Sequence, residues 1–235
     1  MAITAVLFDL DGTLLPMDQE LFVKTYLSLL AKKLAPHGYD PDTLIKGVWQ
    51  GTGAMMKNLT GRTNEDVFWD TFCAIAGAGC RKDEPLFRDF YENEFSQVSA
   101  VCGFSPKAAE TIALVKRKGM QAALATNPLF PAIATENRMR WAGLEPSDFA
   151  LYSTYENYRH CKPNLDYYRE VLANLGVSAD ECVMVGNDVD EDMIARHLGM
   201  EVFLLTDCMI NRSGTDISQF PHGGFEELMA FLENL

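Results

Sequence analysis

Residues 3–13 read ITAVLFDLDGT, a mainly apolar run that ends in two aspartates, a glycine and a threonine. Such a run is typical of a strand buried on both faces of a parallel sheet. Ligands bind beyond the carboxyl ends of strands in these sheets, so Asp9 and Asp11 stand where chemistry is expected. Their spacing lets both carboxylates face one pocket, as a nucleophile and a proton-transfer group. An Asp-Gly pair taken alone is equally typical of a simple turn.

The rest of the chain repeats this strand pattern between amphipathic helices. Short apolar runs predict further strands at residues 121–125, 149–153, 182–185 and 202–205. Helices are predicted from Ser105 and Pro106 to Gly119, over residues 165–175, and over residues 188–198. This alternation predicts an α/β protein with a Rossmann-like three-layer core and a five-stranded, mainly parallel sheet.

Residues 16–99 depart from this alternation of strands and helices. They show helical patterns with no clear strand, and the segment is far longer than a crossover between parallel strands needs. We therefore predict a core from residues 1–15 and 100–235 with an inserted all-helical domain at 16–99. Within the insert, the glycine-flanked stretch 49–58 is either a specificity loop that faces the site or a connection between helices.

The composition limits the partners. The 235 residues carry a formal charge of −13, which repels nucleic acids and anionic lipids, so we expect neither as a partner. An anionic substrate would need a local cation. Six cysteines without a C-x-x-C pair predict reduced thiols, and residues 1–8 are too short for a signal peptide or a membrane span. We expect a cytoplasmic protein, and the sequence does not predict its oligomeric state.

Two further clusters follow predicted strands. Thr126 and Asn127 precede Pro128 at a predicted helix start, where a hydroxyl and free N–H groups suit phosphate oxygens, although a plain helix cap has the same composition. Lys162 precedes Pro163, a position from which its ammonium can reach back over the strand ends. A surface lysine is the simpler alternative for Lys162.

The last cluster is acidic and holds Asp188, Asp190, Glu191 and Asp192 at a strand-to-helix junction. Carboxylate oxygens there suit Mg²⁺, although a solvated first helical turn has similar residues. Together the four clusters, each after a different strand, would supply one pocket with a nucleophile, a phosphate clamp, a cation and metal ligands.

The order DLDGT, strand-end threonine, KP lysine and acidic G-N-D-x-x-x-D resembles the haloacid dehalogenase superfamily of aspartate-nucleophile phosphohydrolases, over the whole chain. The resemblance implies a helical cap inserted after the first motif. It implies that Asp9 attacks phosphorus and becomes an aspartyl phosphate. Asp11 would protonate the leaving oxygen and then activate the hydrolytic water.

The resemblance also assigns the remaining clusters. Thr126 and the Asn127 backbone would hold the phosphoryl oxygens, and Lys162 would neutralise charge on Asp9 and the phosphate. Mg²⁺ would be held by Asp9, the backbone carbonyl of Asp11 and Asp188, while Asp192 acts through water or orients Lys162. Asn187 occupies the place where the family usually has an aspartate, so either Asp188 or the Asn187 amide is the direct ligand, and a carboxylate suits the dication better.

The dehalogenases of this superfamily lack an aspartate at the position of Asp11. Its presence here therefore favours a phosphate ester over a carbon–halogen compound as the substrate. The sequence therefore predicts a Mg²⁺-dependent phosphohydrolase that acts on a small phosphorylated metabolite. Three alternatives stay open: a phosphomutase, a phosphonate hydrolase that would use Lys57 as a Schiff base, and an idle relative that binds a phosphorylated ligand or a protein partner as a regulator.

Overall fold

The computed structural model describes residues 2–77 and 79–235. A five-stranded parallel sheet, in the order β2-β1-β3-β4-β5, forms its centre. The strands are β1 (Ala5–Phe8), β2 (Gln121–Leu124), β3 (Cys182–Gly186), β4 (Glu201–Leu205) and β5 (His222–Gly223). The α-helices are α1 (Gln19–Leu34), α2 (Pro41–Met56), α3 (Asn64–Ala76), α4 (Glu84–Glu92), α5 (Pro106–Arg117), α6 (Ala132–Trp141), α7 (Leu165–Leu175) and α8 (Phe225–Glu233). The predicted α/β class and Rossmann-like sheet are confirmed.

Helices cover both faces of the sheet. Val6 and Phe8 of β1 pack in an apolar cluster with α5 and α8. Ala5 and Leu7 point to the other face, where α7 and a 3₁₀ helix at Met193–Leu198 pack. All four side chains are fully buried. The sequence of β1 is an unbroken apolar run because both faces of the strand are covered by helices and excluded from water.

The sheet differs from the prediction at its edges. Residues 149–153 do not form a strand; they lie beside β2 and make one isolated bridge between Leu124 and Tyr152. The Leu124 N–H donates to the carbonyl of Leu151 over 2.9 Å, and the Ser153 N–H donates to the carbonyl of Leu124 over 3.0 Å. The fifth strand is instead β5, whose two residues are too few to give an apolar pattern.

Helix starts also differ. The chain after Asn127 continues as a loop, and α6 begins only at Ala132, whose N–H donates to the Glu156 carboxylate. The predicted helix at 188–198 is a 3₁₀ helix over Met193–Leu198 alone. Its first part is a turn, because the Asp188 carboxylate accepts the N–H groups of Asp190 and Glu191 and holds the backbone out of a helix.

In the described part of 16–99, regular structure is helical, comprising α1 to α4 with short 3₁₀ segments. Met17 forms a bridge with Cys102, and the Gly103 N–H donates to the Pro16 carbonyl over 2.7 Å. The chain therefore enters and leaves the insert side by side. The division into two domains stays a prediction. None of the helices within residues 2–77 and 79–235 is long and apolar enough to cross a membrane.

The stretch 49–58 is not a loop, because α2 continues through it to Met56. A Cβ on Gly51 would lie 2.6 Å from Cδ2 of Phe68, and one on Gly47 would lie 2.9 Å from Cδ2 of Phe72. These glycines let α2 and α3 approach closely. The loop prediction was therefore wrong, since it interpreted packing glycines as turn residues.

The cysteines give one further correction. Cys73 at the end of α3 is disulfide-bonded to Cys80, with 5.4 Å between the two Cα atoms. The expectation of reduced thiols was wrong for this pair, because tertiary packing brings together two cysteines that share no familiar spacing. The free cysteines are Cys102, Cys161, Cys182 and Cys208. The cytoplasmic location stays a prediction.

Candidate active site

A tight turn after β1 presents the two motif aspartates. Gly12 has a φ of +84°, which favours glycine, and a Cβ there would lie 2.4 Å from Nδ2 of Asn187. The Asp9 N–H donates to the Val185 carbonyl over 2.9 Å, which continues the β1–β3 ladder up to the site. Asp9 and Asp11 both line a cavity of about 180 Å³ at the carboxyl edge of the sheet.

Lys162 is fully inside the protein, with 1% of its side chain exposed. Its Nζ donates to Oδ1 of Asp9 over 3.0 Å and to Oδ1 of Asp192 over 2.6 Å. Burial works against the charged ammonium, but the carboxylates of Asp192 and Asp9 outweigh it, so the pKa of Lys162 is raised well above its usual value. The alternative of a surface lysine is excluded, and α7 begins at Leu165 after an Asn164 cap.

Asp192 is committed to holding Lys162. Its Oδ1 accepts from the ammonium, and its Oδ2 accepts the Asp188 N–H over 3.0 Å. A Cβ on Gly186 would lie 2.1 Å from this Oδ2, so the carboxylate packs directly on the backbone of β3. With both oxygens engaged, Asp192 is placed to orient the lysine.

The side chain of Asn187 joins two loops through hydrogen bonds, one containing Thr13 and the other containing Cys208. Its Oδ1 accepts from Oγ1 of Thr13 over 2.9 Å, and its Nδ2 donates to the Cys208 carbonyl over 2.7 Å. The amide thereby holds the motif turn, since Thr13 also approaches Oδ2 of Asp9 at 3.4 Å. Both polar atoms of the Asn187 amide are therefore used inside the fold.

Asp188 lines the cavity as a carboxylate. Its Oδ1 accepts the N–H groups of Asp190 and Glu191, and its Oδ2 accepts Nη1 of Arg212 over 2.7 Å. The Arg212 side chain is 61% exposed, so it can move away. Of the two candidates for metal ligation, Asp188 is the one that offers a carboxylate to the cavity.

Thr126 and Asn127 line the same cavity from the loop after β2. The Thr126 carbonyl accepts hydrogen bonds from the hydroxyls of Ser153 over 2.6 Å and Tyr167 over 2.8 Å, and these bonds hold the loop in place. Oδ1 of Asn127 accepts the Lys162 N–H over 3.2 Å. The structure thus gathers all the predicted site residues at one edge, but a loop rather than a helix N-terminus carries Thr126.

Arg138 was not predicted and is the main addition to the site. Its guanidinium, 1% exposed, pairs through Nη1 with Oδ2 of Asp11 and stacks with Cζ 4.4 Å from the Phe130 ring centre. Burial raises the pKa of Asp11, while Arg138 opposes that rise. A signal was present, because Arg138 follows Ala134 by four residues on the buried face of α6, where an arginine needs a partner.

The donor atoms in this cavity suit a hard dication. Asp9, Asp11 and Asp188 offer oxygen ligands only, which is the set that Mg²⁺ prefers. Oδ1 of Asp11 is buried and has no hydrogen-bond partner among the described residues. Within residues 2–77 and 79–235, no three acidic, histidine or cysteine side chains form a ready metal cage. The residues therefore fit Mg²⁺ bound partly by water and substrate.

Lys57 lies away from these groups. It is exposed at the end of α2 and lines neither the aspartate cavity nor the larger cavity beside it. The structure therefore does not place the lysine that a phosphonate hydrolase would need near the reacting groups.

Comparisons with known proteins identify the family. Residues 3–197 match the family of haloacid dehalogenase-like hydrolases. The chain is 23% identical over 197 residues to the pyrophosphatase PpaX of Bacillus velezensis, covering 84% of this chain and 80% of the relative. It is 27% identical over 132 residues to a glyceraldehyde 3-phosphate phosphatase of Methanocaldococcus jannaschii, covering 55% of this chain and 57% of the relative.

A solved structure shares the fold. CbbY from Rhodobacter sphaeroides, crystallised with phosphate, superposes with a TM-score of 0.61 at 21% identity, over 99% of this chain and 100% of that chain. At this identity, the similarity shows the fold alone. The family match covers most of the chain and includes the motifs after β1, β2 and β3. We conclude that the chain is an enzyme that belongs to the haloacid dehalogenase-like hydrolases, as its motifs predicted.

Proposed function

We propose that this hydrolase cleaves phosphate monoesters of small molecules with Mg²⁺, through an aspartyl phosphate on Asp9. The observation that carries the proposal is the arrangement of Asp9, whose Oδ1 is held by Lys162 at 3.0 Å while its carboxylate lines the same cavity as Asp11. A positioned carboxylate beside a proton donor is what nucleophilic catalysis on phosphorus requires.

In the first step, an oxygen of Asp9 attacks the phosphorus and the bond between phosphorus and the ester oxygen breaks. Asp11 gives its proton to that leaving oxygen, so an alcohol departs. Burial raises the pKa of Asp11, which suits a carboxyl that must enter this step protonated. The product is a phosphoryl group bound to Asp9.

In the second step, Asp11 is a carboxylate and takes a proton from water as that water attacks the phosphorus. The bond between Asp9 and phosphorus breaks, which releases phosphate and restores both aspartates. Asp11 thus acts once as an acid and once as a base, and the protons balance over the cycle.

The other groups bind and orient the phosphoryl oxygens. Thr126 and Asn127 would hold them from the β2 loop, and the ammonium of Lys162 would offset their charge. Asp9, the backbone carbonyl of Asp11 and Asp188 would hold Mg²⁺, which when bound neutralises charge on the transferring group. Together these cations supply the local attraction that a chain of net charge −13 lacks.

The test is phosphate release from phenyl phosphate with Mg²⁺ and with EDTA. Asp9→Asn should lower the rate by about a thousandfold or more, because the nucleophile is lost. Asp166→Asn is the matched control, since Asp166 is an exposed aspartate paired only with surface groups. Full activity in Asp9→Asn would end the proposal.

A further inference from the structure

A second and larger cavity, of about 450 Å³, opens beside the aspartate cavity. The two cavities share six lining residues, among them Met56 of α2 and Phe130 of the β2 loop. The two cavities therefore adjoin, so an ester whose phosphate lies against Asp9 would have its leaving group beside the larger cavity. That cavity lies where the leaving group of a phosphate ester would be held.

The wall of the larger cavity is apolar. Eight of its eighteen lining residues are aromatic and six are aliphatic, so little of the wall can replace water around a polar group. Trp49 and Phe68 contribute from α2 and α3, Tyr26 from α1, and Phe130 and Tyr155 from loops of the core. Drug-sized ligands usually occupy cavities of about this volume and character.

The polar side chains in the wall are few, and several of them already have partners. The Tyr26 and Tyr91 hydroxyls bond to each other over 2.9 Å. Among the described lining side chains Arg212 is the sole cation, and it is paired with Asp188. The indole N–H of Trp69 is buried without a hydrogen-bond partner in the described part of the chain.

This wall excludes some leaving groups. A sugar brings several hydroxyls that would lose water and gain few partners in this mainly apolar wall, and a second phosphate would need a cation that is free to bind it. An apolar leaving group loses nothing on entry and gains the burial of its surface. The indole N–H of Trp69 can donate to one acceptor atom on such a group.

We propose that the substrate is a phosphate monoester whose leaving group is large and apolar, with an aromatic or long hydrocarbon part seated in this cavity. The inference rests on the proposed function, because it assumes that the phosphate lies against Asp9. A cavity of about 150 Å³ already accepts benzene, so the larger cavity here has room for a fused ring system or a chain of several carbons.

The test is the rate of phosphate release from straight-chain alkyl phosphates, from propyl to octyl, by the wild-type enzyme with Mg²⁺. The acidity of the leaving alcohol is constant in this series and only its apolar area changes. Each added methylene should raise kcat/KM by about fourfold until the cavity is filled. Triethylene glycol monophosphate, which has similar length but carries ether oxygens, should show no such gain. A flat series would overturn the inference.

Two variants of α2 test the location. Thr52 lines the cavity, so Thr52→Trp should fill it and abolish the gain per methylene. Gln50 is exposed on the same helix and does not line the cavity, so Gln50→Trp should keep the full dependence on chain length. Equal slopes in both variants would place the apolar group elsewhere and refute the assignment.

Binding separates this inference from the proposed chemistry. Trp49 and Trp69 line the cavity, so alkyl phosphates should change tryptophan emission in the Asp9→Asn protein with Mg²⁺ present. Octyl phosphate should bind at least a hundredfold more tightly than propyl phosphate. Equal affinities would reject the apolar leaving group. Strong dependence on chain length with no turnover of any ester by the wild type would instead reject the proposed hydrolysis and support the apolar ligand site.

Discussion

Replacing Arg138 by methionine removes the cation that is paired with Asp11 inside the protein. Removing one partner of a buried ion pair costs about 3–5 kcal/mol, because the remaining charge loses its compensation. The Asp11 side chain keeps 21% exposure toward the cavity and can take up a proton, so we expect the lower end, about 3 kcal/mol. Methionine retains the aliphatic packing, which leaves the lost pairing as the main change.

Urea unfolding followed by circular dichroism measures this loss, and thermal unfolding gives the matching fall in Tm. In a chain of this size each kcal/mol moves Tm by about 2–4 °C, so Tm should fall by about 6–12 °C. Arg140→Met is the matched control on the same helix, because Arg140 is 45% exposed and pairs only at the surface. The control should lose less than about 1 kcal/mol.

A double-mutant cycle tests whether the pair itself is responsible. Asp11→Asn removes the charge that Arg138→Met leaves without a partner, so the double variant should recover about 2 kcal/mol relative to additivity. A loss below about 1 kcal/mol in Arg138→Met, or strict additivity in the cycle, would refute the reasoning.

The pH profile of the same variant gives an independent readout. Burial raises the pKa of Asp11, and Arg138 acts against that rise. Without the arginine the pKa rises further, so the acid form persists to higher pH. The alkaline limb of kcat/KM for phenyl phosphate should therefore move to higher pH. A limb that stays in place or moves to lower pH contradicts this assignment.

Two further variants test the metal and lysine side of the site. Gly186→Ala would place a methyl group 2.1 Å from Oδ2 of Asp192, so the Asp192 carboxylate must move and kcat should fall by about a hundredfold. Gly53→Ala is the control and should leave kcat unchanged, because its methyl group meets no atom within 4 Å. Arg212→Gln removes a cation paired with Asp188, so half-saturating Mg²⁺ should fall by about fivefold in a phosphate-release assay. An unchanged or higher Mg²⁺ requirement would show that this arginine does not compete with the metal.

Much of the catalytic edge could be predicted from local patterns. Asp9 and Asp11 follow an apolar run that is typical of a strand covered on both faces, and parallel strands bring their carboxyl ends to one edge. Thr126, Lys162 and Asp188 each follow a strand or a strand-like segment, so their meeting at one edge of the sheet, around Asp9, followed from the topology. Their individual roles stay predictions.

Other features depend on contacts between distant segments, which no local pattern encodes. Gly51 and Gly53 indicated a loop, but both lie inside α2, where Gly51 leaves the space that Phe68 of α3 occupies. The disulfide joins two cysteines only because the fold brings the end of α3 to Cys80.

The sequence by itself determined β1 to β4 and the order of the motifs, because these depend on periodicity and spacing along the chain, and the motifs carried the resemblance to the family. Only the tertiary structure decided that Arg138 neutralises Asp11 and that aromatic rings from both the insert and the core enclose one cavity. Both depend on which helix faces meet. Burial and charge pairing are properties of the folded arrangement. They shift the pKa values of residues whose positions could be predicted from the sequence but whose surroundings could not.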